Sequence, residues 1–433
     1  MKYAPQLHKL SNGITVILDP MDLETVNVEV TFATGARDEG SDEMGILHFC
    51  EHMLCAGTRR FPTRRELTEY LEYNGGVQNA ATGCRSMRVY GRILAENINL
   101  LIESLGDLLQ NSLFDPEKIE TERRVISDEL RRALDSDSRR YFDFISGKLF
   151  NYVIGSSRTI GTFETIASFT RDQMLGFLSR RLSAKNCIIG ISGKIHNPDD
   201  VLKTLEKTFS FLPGHDVPEN MDITYTPTIA HNHIGGKKNV KITILFPDYT
   251  PDSYENIFRD KCLSVFEWYT CKELYEIIRR QNGLTYGFGD AIYGNEQFCC
   301  RGFATQTTPE NIARLIELIA KNASYIYSHS PFTADDLSRR RNICKLGNAD
   351  WLESPQRRIT KLINFYRLYG RLYDFNKSVQ MGDSITRDDV IMHSRGYFDG
   401  PMSIITHGAD HNTDVAAIWH ENFTPTAGNG PKA

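Results

Sequence analysis

The chain has 433 residues, 40% of them hydrophobic and 24% charged, with a formal net charge of -5. That length and apolar content exceed what one ordinary domain uses, so two domains of about 200 residues each are expected. The mildly acidic balance gives no global basic field, which excludes nucleic acid or an anionic membrane as a partner recognised by charge, and no apolar run approaches the roughly 18 residues of a membrane span.

Met1 is followed so closely by the first strand pattern that no room is left for a signal or transit peptide, and a cytoplasmic location is expected. Asn12-Gly13 reads as a hairpin turn before a strand over Ile14 to Leu18, and Val26, Val28, Val30 and Phe32 alternate as in a half-buried strand. The stretch from Gly45 to Leu54 reads as a helix on which His48, Glu51 and His52, at i, i+3 and i+4, share one face. Pro62 to Tyr73 forms the next helix, stopped by Asn74-Gly75-Gly76, and strands follow over Val77 to Thr82 and Ser86 to Leu94. Asn97 to Leu109 is amphipathic, and Asp115-Pro116 opens a charged helix on which Glu122 and Glu129 stand two turns apart on one face. Asn186 to Gly193 reads as a short buried strand.

Two neutral imidazoles one helical turn apart can hold a single Zn2+, and a carboxylate between them that is not a ligand can take a proton from water. His48-Phe49-Cys50-Glu51-His52 has the H-x-x-E-H form of a zinc-peptidase motif. With 12 histidines in the chain, that pattern should arise by accident about 0.02 times, so chance does not explain it. A peptidase zinc needs a third protein ligand and an open fourth position. Glu122 and Glu129 are the candidates: one can bind the metal while the other stands behind it and orients the ligands.

With Leu10-Ser11-Asn12-Gly13, Gly35-Ala36-Arg37-Asp38-Glu39 and Asn79-Ala80-Ala81-Thr82, these stretches give the chain a resemblance, over nearly its whole length, to the pitrilysin (insulinase-like) metallopeptidases. That family includes the mitochondrial processing peptidases and short bacterial relatives. The resemblance implies one Zn2+ per chain on His48, His52 and Glu129, with Glu122 as the carboxylate behind the ligands and Glu51 as the catalytic base. It also implies that Asn79, with Ala80 and Ala81, grips the substrate main chain beside the strand from Val77 to Ala81.

The pattern then repeats. Ser168 to Asp172 recurs as Ser384 to Asp388, and Cys187 to Gly193 is echoed by Met402 to Gly408, both offset by about half the chain. The same shift carries His48, Glu51 and His52 onto Cys262, Val265 and Phe266, so the second copy keeps no metal site. Glu273 to Tyr286 parallels Glu66 to Gln78. By the resemblance, Arg279 and Tyr286 are the arginine and tyrosine that reach the substrate, two donors suited to a carbonyl oxygen turning anionic.

The expected fold class is α+β: two homologous halves, each a mixed or antiparallel sheet with helices on one face, related by a pseudo-twofold and enclosing a cavity. The halves are an N-terminal zinc-binding domain over 1–215 and a C-terminal substrate-binding domain over 237–421. A Pro- and Gly-rich linker over 216–236 joins them, and the tail over 422–433 is expected to be disordered. His231 and His233 fall in that linker with no carboxylate or cysteine close in sequence, and read as a solvated pair. The nine cysteines, without a C-x-x-C pair, read as buried thiols of a reducing compartment.

The expected function is that of a zinc endopeptidase acting on extended or unfolded peptides, which add to a sheet edge through backbone hydrogen bonds. The alternative is a non-catalytic or partner-dependent structural subunit of a larger peptidase complex. The expected partners are a peptide substrate and a second copy in a homodimer, with no nucleic acid and no membrane. Two stretches depart from the family pattern and bear on the cavity wall and substrate preference: Asn151 to Gly161, shorter and less proline-rich than usual, and Arg85-Ser86-Met87 in place of a threonine-bearing turn.

Overall fold

A computed structural model of the chain describes residues 4–150, 159–218, 224–249, 254–294 and 298–425. Most of the Asn151 to Gly161 stretch, part of the expected linker and residues 426–433 of the tail lie outside the described residues. The chain forms two compact units, and the division does not follow chain order. One comprises the described residues of Met1–Asp143, Val153–Asp222 and Ala349–Phe375; the other comprises those of Phe144–Tyr152, Ile223–Asn348 and Asn376–Ala433.

The first unit is built on a six-stranded mixed sheet. Its strands are β1 (Gln6–Lys9), β2 (Thr15–Pro20), β3 (Thr25–Phe32), β4 (Val77–Thr82), β5 (Met87–Leu94) and β6 (Cys187–Gly193), in the order β1-β2-β6-β3-β5-β4. Asn12-Gly13 makes the β1-β2 hairpin as expected, with Gly13 in the left-handed region that glycine tolerates. β6, buried along its whole length, pairs parallel with β2 and antiparallel with β3. β4 is an edge strand. The helices are α1 (Ile46–Leu54), α2 (Arg64–Tyr73), α3 (Ile98–Asn111), α4 (Pro116–Asp135), α5 (Asp137–Leu149, shared between the units), α6 (Phe163–Ser168), α7 (Arg171–Arg181) and α8 (Pro198–Phe209).

The alternation in β3 sends Val26, Val28, Val30 and Phe32 into the core beneath these helices. Its other residues, Asn27, Glu29 and Thr31, are buried too. They are covered by a helix from the second half of the sequence, Pro355–Tyr369, whose apolar stripe Ile359, Leu362 and Ile363 packs on Ile17 and Ile188. Glu29 accepts hydrogen bonds from Gln356 Nε2 (2.6 Å), Thr360 Oγ1 (2.9 Å) and Arg88 Nη1 (3.2 Å). Asp19 and Arg358 form a fully buried pair, with Arg358 Nε donating to Asp19 Oδ2 at 2.7 Å and Ser192 Oγ donating to the same oxygen. The sheet thus carries the expected helical layer on one face and this additional helix on the other.

The second unit holds a five-stranded sheet of β7 (Ile229–His233), β8 (Val240–Tyr249), β9 (Phe288–Gly294), β10 (Phe298–Thr307) and β11 (Ser403–Gly408), ordered β7-β11-β8-β10-β9. Its helices include α9 (Tyr254–Tyr275), α10 (Ile312–His329), most of α11 (Ala334–Leu352), α13 (Phe375–Ser384), α14 (Arg387–Ser394) and α15 (Val415–Asn422); α12, the Pro355–Tyr369 helix between α11 and α13 in the chain, belongs to the first unit. Ile242, Ile244, Phe246, Phe266, Ile316 and Trp419 are among the residues of its core.

The sequence repeats land on equivalent elements. β6 and β11 are the buried strands beside β3 and β8, and Thr170 and Thr386 cap α7 and α14 by accepting from the third backbone N–H of each helix. The second unit also holds a buried ionic cluster. Arg301 donates to Asp248 Oδ2 (2.7 Å) and Glu267 Oε2 (3.1 Å) and also pairs with Asp260, while Tyr397 donates to Glu267. Burial, with Asp290 and Asp248 nearby, pushes the Glu267 carboxyl up to about 8.

Candidate metal centre

The α1 helix is started from outside itself. Gly45, its cap, has φ +88, and a Cβ there would come within 2.3 Å of the Ile160 carbonyl oxygen, so only glycine fits. With no cap side chain available, Glu39 satisfies the first turn: its carboxylate accepts from Gly45 N at 2.8 Å and Leu47 N at 3.0 Å, placing negative charge at the positive end of the helix. Ile46, Leu47, Phe49, Cys50, Met53 and Leu54 are buried in the core, His48 is buried as well, and Glu51 and His52 are partly exposed on the motif's face. Cys50, inside the motif, packs instead against α7, with Sγ directed at the Met174 carbonyl.

On α4, Asp115 caps the helix by accepting from Glu117 N and Lys118 N, and Pro116 occupies the first turn as expected. Its buried stripe of Ile119, Ile126, Leu130 and Ala133 seats it in the core beside α1, with Glu122 and Glu129 flanking the stripe. Two helices therefore bring together residues about 80 positions apart. His48 Nε2 lies 3.8 Å and His52 Nε2 3.7 Å from Glu129 Oε2, and the three donor atoms fall within 4.8 Å of one another. The imidazole rings meet edge to face at 4.8 Å. His52 Nδ1 donates to Glu122 Oε2 at 2.8 Å, so the Nε2 atom, once its own proton is lost, presents its lone pair on the side facing Glu129.

Burial, with His52 alongside, lowers the His48 imidazole to about 4. Burial acts the same way on His52, yet the carboxylates of Glu122, Glu129 and Glu51 outweigh it and raise that imidazole to about 9. Glu129 is lowered, chiefly by His52. Burial raises the Glu51 carboxyl above its ordinary value, against the lowering effect of Thr82 on β4. Two nitrogen donors and one oxygen donor suit one tetrahedral zinc with an unfilled fourth position, the separations of 3.7 and 3.8 Å being a few tenths of an ångström wider than the roughly 3.3–3.5 Å between donors that share such an ion.

Ala80 is buried, while Asn79 points to the opposite face of β4 and lines a groove there with Asn27, Tyr90 and Gln356; its Oδ1 accepts from Ala80 N at 2.9 Å. Ala81 follows at partial exposure. In the second unit Arg279 sits in a π-helical stretch, Glu276–Gln281, and its guanidinium lies over the Tyr286 ring at 5.3 Å. Tyr286 occupies the bend before β9 and not a strand, and is 85% exposed. The His231 and His233 reading needs correction: they lie on β7, an edge strand, with the Asp410 carboxylate close by. Sequence reading also missed the capping role of Glu39; the available signal was an acidic residue shortly before a helix whose cap position is glycine.

All nine cysteines are free thiols. No helix among the described residues is long and apolar enough to cross a membrane.

A His-x-x-Glu-His helix completed by a glutamate from a neighbouring helix, in one of two sheet-based α+β units of like strand order, defines the class as proteins with a peptidase-type zinc donor set. Residues 16–159 match the insulinase family (peptidase family M16) and residues 168–344 the peptidase M16 inactive domain. The chain belongs to the M16 peptidase family. It is 30% identical over 298 residues to an uncharacterized zinc protease of Rickettsia felis, covering 67% of this chain and 70% of that one. It is 29% identical over 243 residues to a mitochondrial-processing peptidase subunit beta of Dictyostelium discoideum, covering 56% and 51%. In fold it is similar to a protease from Helicobacter pylori, with a TM-score of 0.80 at 18% identity over 94% of this chain and 100% of that one.

Proposed function

We propose that the chain is a zinc-dependent endopeptidase that hydrolyses extended or unfolded peptides. The observation that carries this reading is the convergence of His48, His52 and Glu129 with Glu51 on the same face of α1. His48, His52 and Glu129 hold one Zn2+, which when bound supplies Lewis acidity toward water and the scissile carbonyl. Glu122 keeps the His52 ring oriented by accepting its Nδ1 proton. Glu51 takes a proton from the attacking water and passes it to the leaving amine, and its raised carboxyl brings proton affinity closer to that task. Arg279 and Tyr286, already side by side, donate to the carbonyl oxygen as it becomes anionic.

Peptides bind as an added strand on the free edge of β4, held by main-chain hydrogen bonds around Asn79, Ala80 and Ala81. Main-chain recognition makes the enzyme tolerant of sequence and selective for unfolded chains. We place it in the cytoplasm as a homodimer, an arrangement that sedimentation of the purified chain tests. Digestion of an unfolded-peptide mixture, with cut sites read by mass spectrometry, should give internal cleavages that a chelator abolishes. A second reading draws on the match of residues 168–344 to an inactive domain and on relatives named as subunits: a chain that depends on a partner. It predicts zinc binding by the chain alone with no cleavage of the mixture until that partner is added.

A further inference from the structure

The geometry points to a second metal site: His231 and His233 of β7, with Asp410 just beyond β11, bind one divalent transition-metal ion of the zinc type. β7 runs parallel to β11 in a register that sets His231 beside Thr406 and His233 beside Gly408. Residues i and i+2 of a strand share a face, so the two imidazoles project together. The chain leaving β11 brings Asp410 Oδ1 to 3.8 Å from His231 Nε2 and 4.0 Å from His233 Nδ1, and all three donor atoms fall within 4.8 Å. These separations are too long for hydrogen bonds and slightly wider than the roughly 3.3–3.5 Å between donors sharing a tetrahedral ion. His233 and Asp410 are exposed, by 57% and 76% of their side-chain surface, so a rotation of a few tenths of an ångström is open to them.

The best-placed ligand atom is the most constrained one. His231 Nδ1 lies 2.8 Å from Thr406 Oγ1, a hydrogen bond that orients the ring, and Nε2 is turned toward Asp410. His231 Nε2 is buried and makes no hydrogen bond among the described residues, a state that is unfavourable for a polar atom and suits a metal donor. The His411 ring packs edge to face on His231 at 4.5 Å and shares the same Thr406 hydroxyl, which walls one side of the site. Two nitrogens and one carboxylate oxygen favour zinc, nickel or copper over magnesium and calcium. An ion here would tie the edge strand β7 to the segment after β11.

The test uses the full chain without a polyhistidine tag, stripped by chelator and titrated with Zn2+ and Co2+ while bound metal is counted. Two ions are expected per parent chain, one in His231→Gln/His233→Gln, one in His48→Gln/His52→Gln, and none in the combined variant. Thr406→Val, which frees the His231 ring without removing a ligand, should weaken the second ion about 10- to 100-fold and leave the first unchanged. His233 is exposed, so His233→Gln alone keeps the fold and should abolish the Zn2+-dependent rise in melting temperature of the His48→Gln/His52→Gln chain. A metal count that does not fall when His231 and His233 are replaced, or a His48→Gln/His52→Gln chain that binds no ion, overturns the site.

Discussion

Replacing Glu122 probes how the zinc ligands are held, separately from the ligands themselves. In the parent, His52 Nδ1 donates to Glu122 Oε2 at 2.8 Å, and Glu122 is 16% exposed, so the bond is charge-assisted and poorly screened. Glu122→Gln retains an acceptor oxygen and loses the charge, whereas Glu122→Ala loses both and frees the ring. Carboxylates behind ligating histidines contribute about 10–100-fold to metal affinity, or about 1.4–2.8 kcal/mol. Glu122→Gln should fall near the lower end and Glu122→Ala near the upper end. Glu129→Gln, which removes a ligand, should cost more than either. Competition for Zn2+ against a chromophoric chelator, in a chain carrying His233→Gln to silence the second site, measures all three on one scale. Wild-type affinity in Glu122→Ala, or a loss equal to that in Glu129→Gln, would refute the division of roles.

Zinc binding must displace the His52 proton, because that imidazole titrates at about 9 while His48 titrates at about 4. Calorimetry in buffers of different ionisation enthalpy should therefore show about one proton released per ion at pH 7, with affinity rising as pH approaches 9. No proton release would place the ligands elsewhere. Arg358→Met leaves Asp19 buried and uncompensated and should destabilise the first unit by about 3–5 kcal/mol in denaturant unfolding, with much of that recovered in Asp19→Leu/Arg358→Met. A loss under about 1 kcal/mol contradicts the reading.

Glu267 titrates at about 8 in the folded chain against 4.5 as the ordinary value, so its favourable contribution is complete below pH 4.5 and lost as pH rises through 8. Glu267→Gln should flatten that dependence between pH 4.5 and 8. Parallel stability profiles for the two chains would argue against a protonated Glu267.

What could be read from the sequence was local. Helical spacing put His48, Glu51 and His52 on one face, and Asp115-Pro116 announced the start of α4, because caps and periodicity are set by neighbours in the chain. The repeats around Thr170 and Thr386, and around β6 and β11, marked equivalent elements for the same reason. The docking of α12 could not be read there. Asn27, Glu29 and Thr31 look like a solvent face until the helix carrying Gln356 and Thr360, over 300 residues away, covers them. The Asp410 carboxylate reaches His231 only through the parallel register of β7 on β11, a pairing between strands about 170 residues apart that alternation within either strand does not encode. Glu39 was hidden because its cap acts across a loop and not from the cap position itself.

The account rests on Glu51 acting as a base beside a metal it does not bind. The direct measurement is peptide hydrolysis by the Zn2+-loaded Glu51→Gln chain, with zinc content determined on the same sample. Zinc should stay at the parent level while turnover falls at least about 100-fold. Turnover equal to the parent's, or loss of the His48/His52/Glu129 ion, would contradict it.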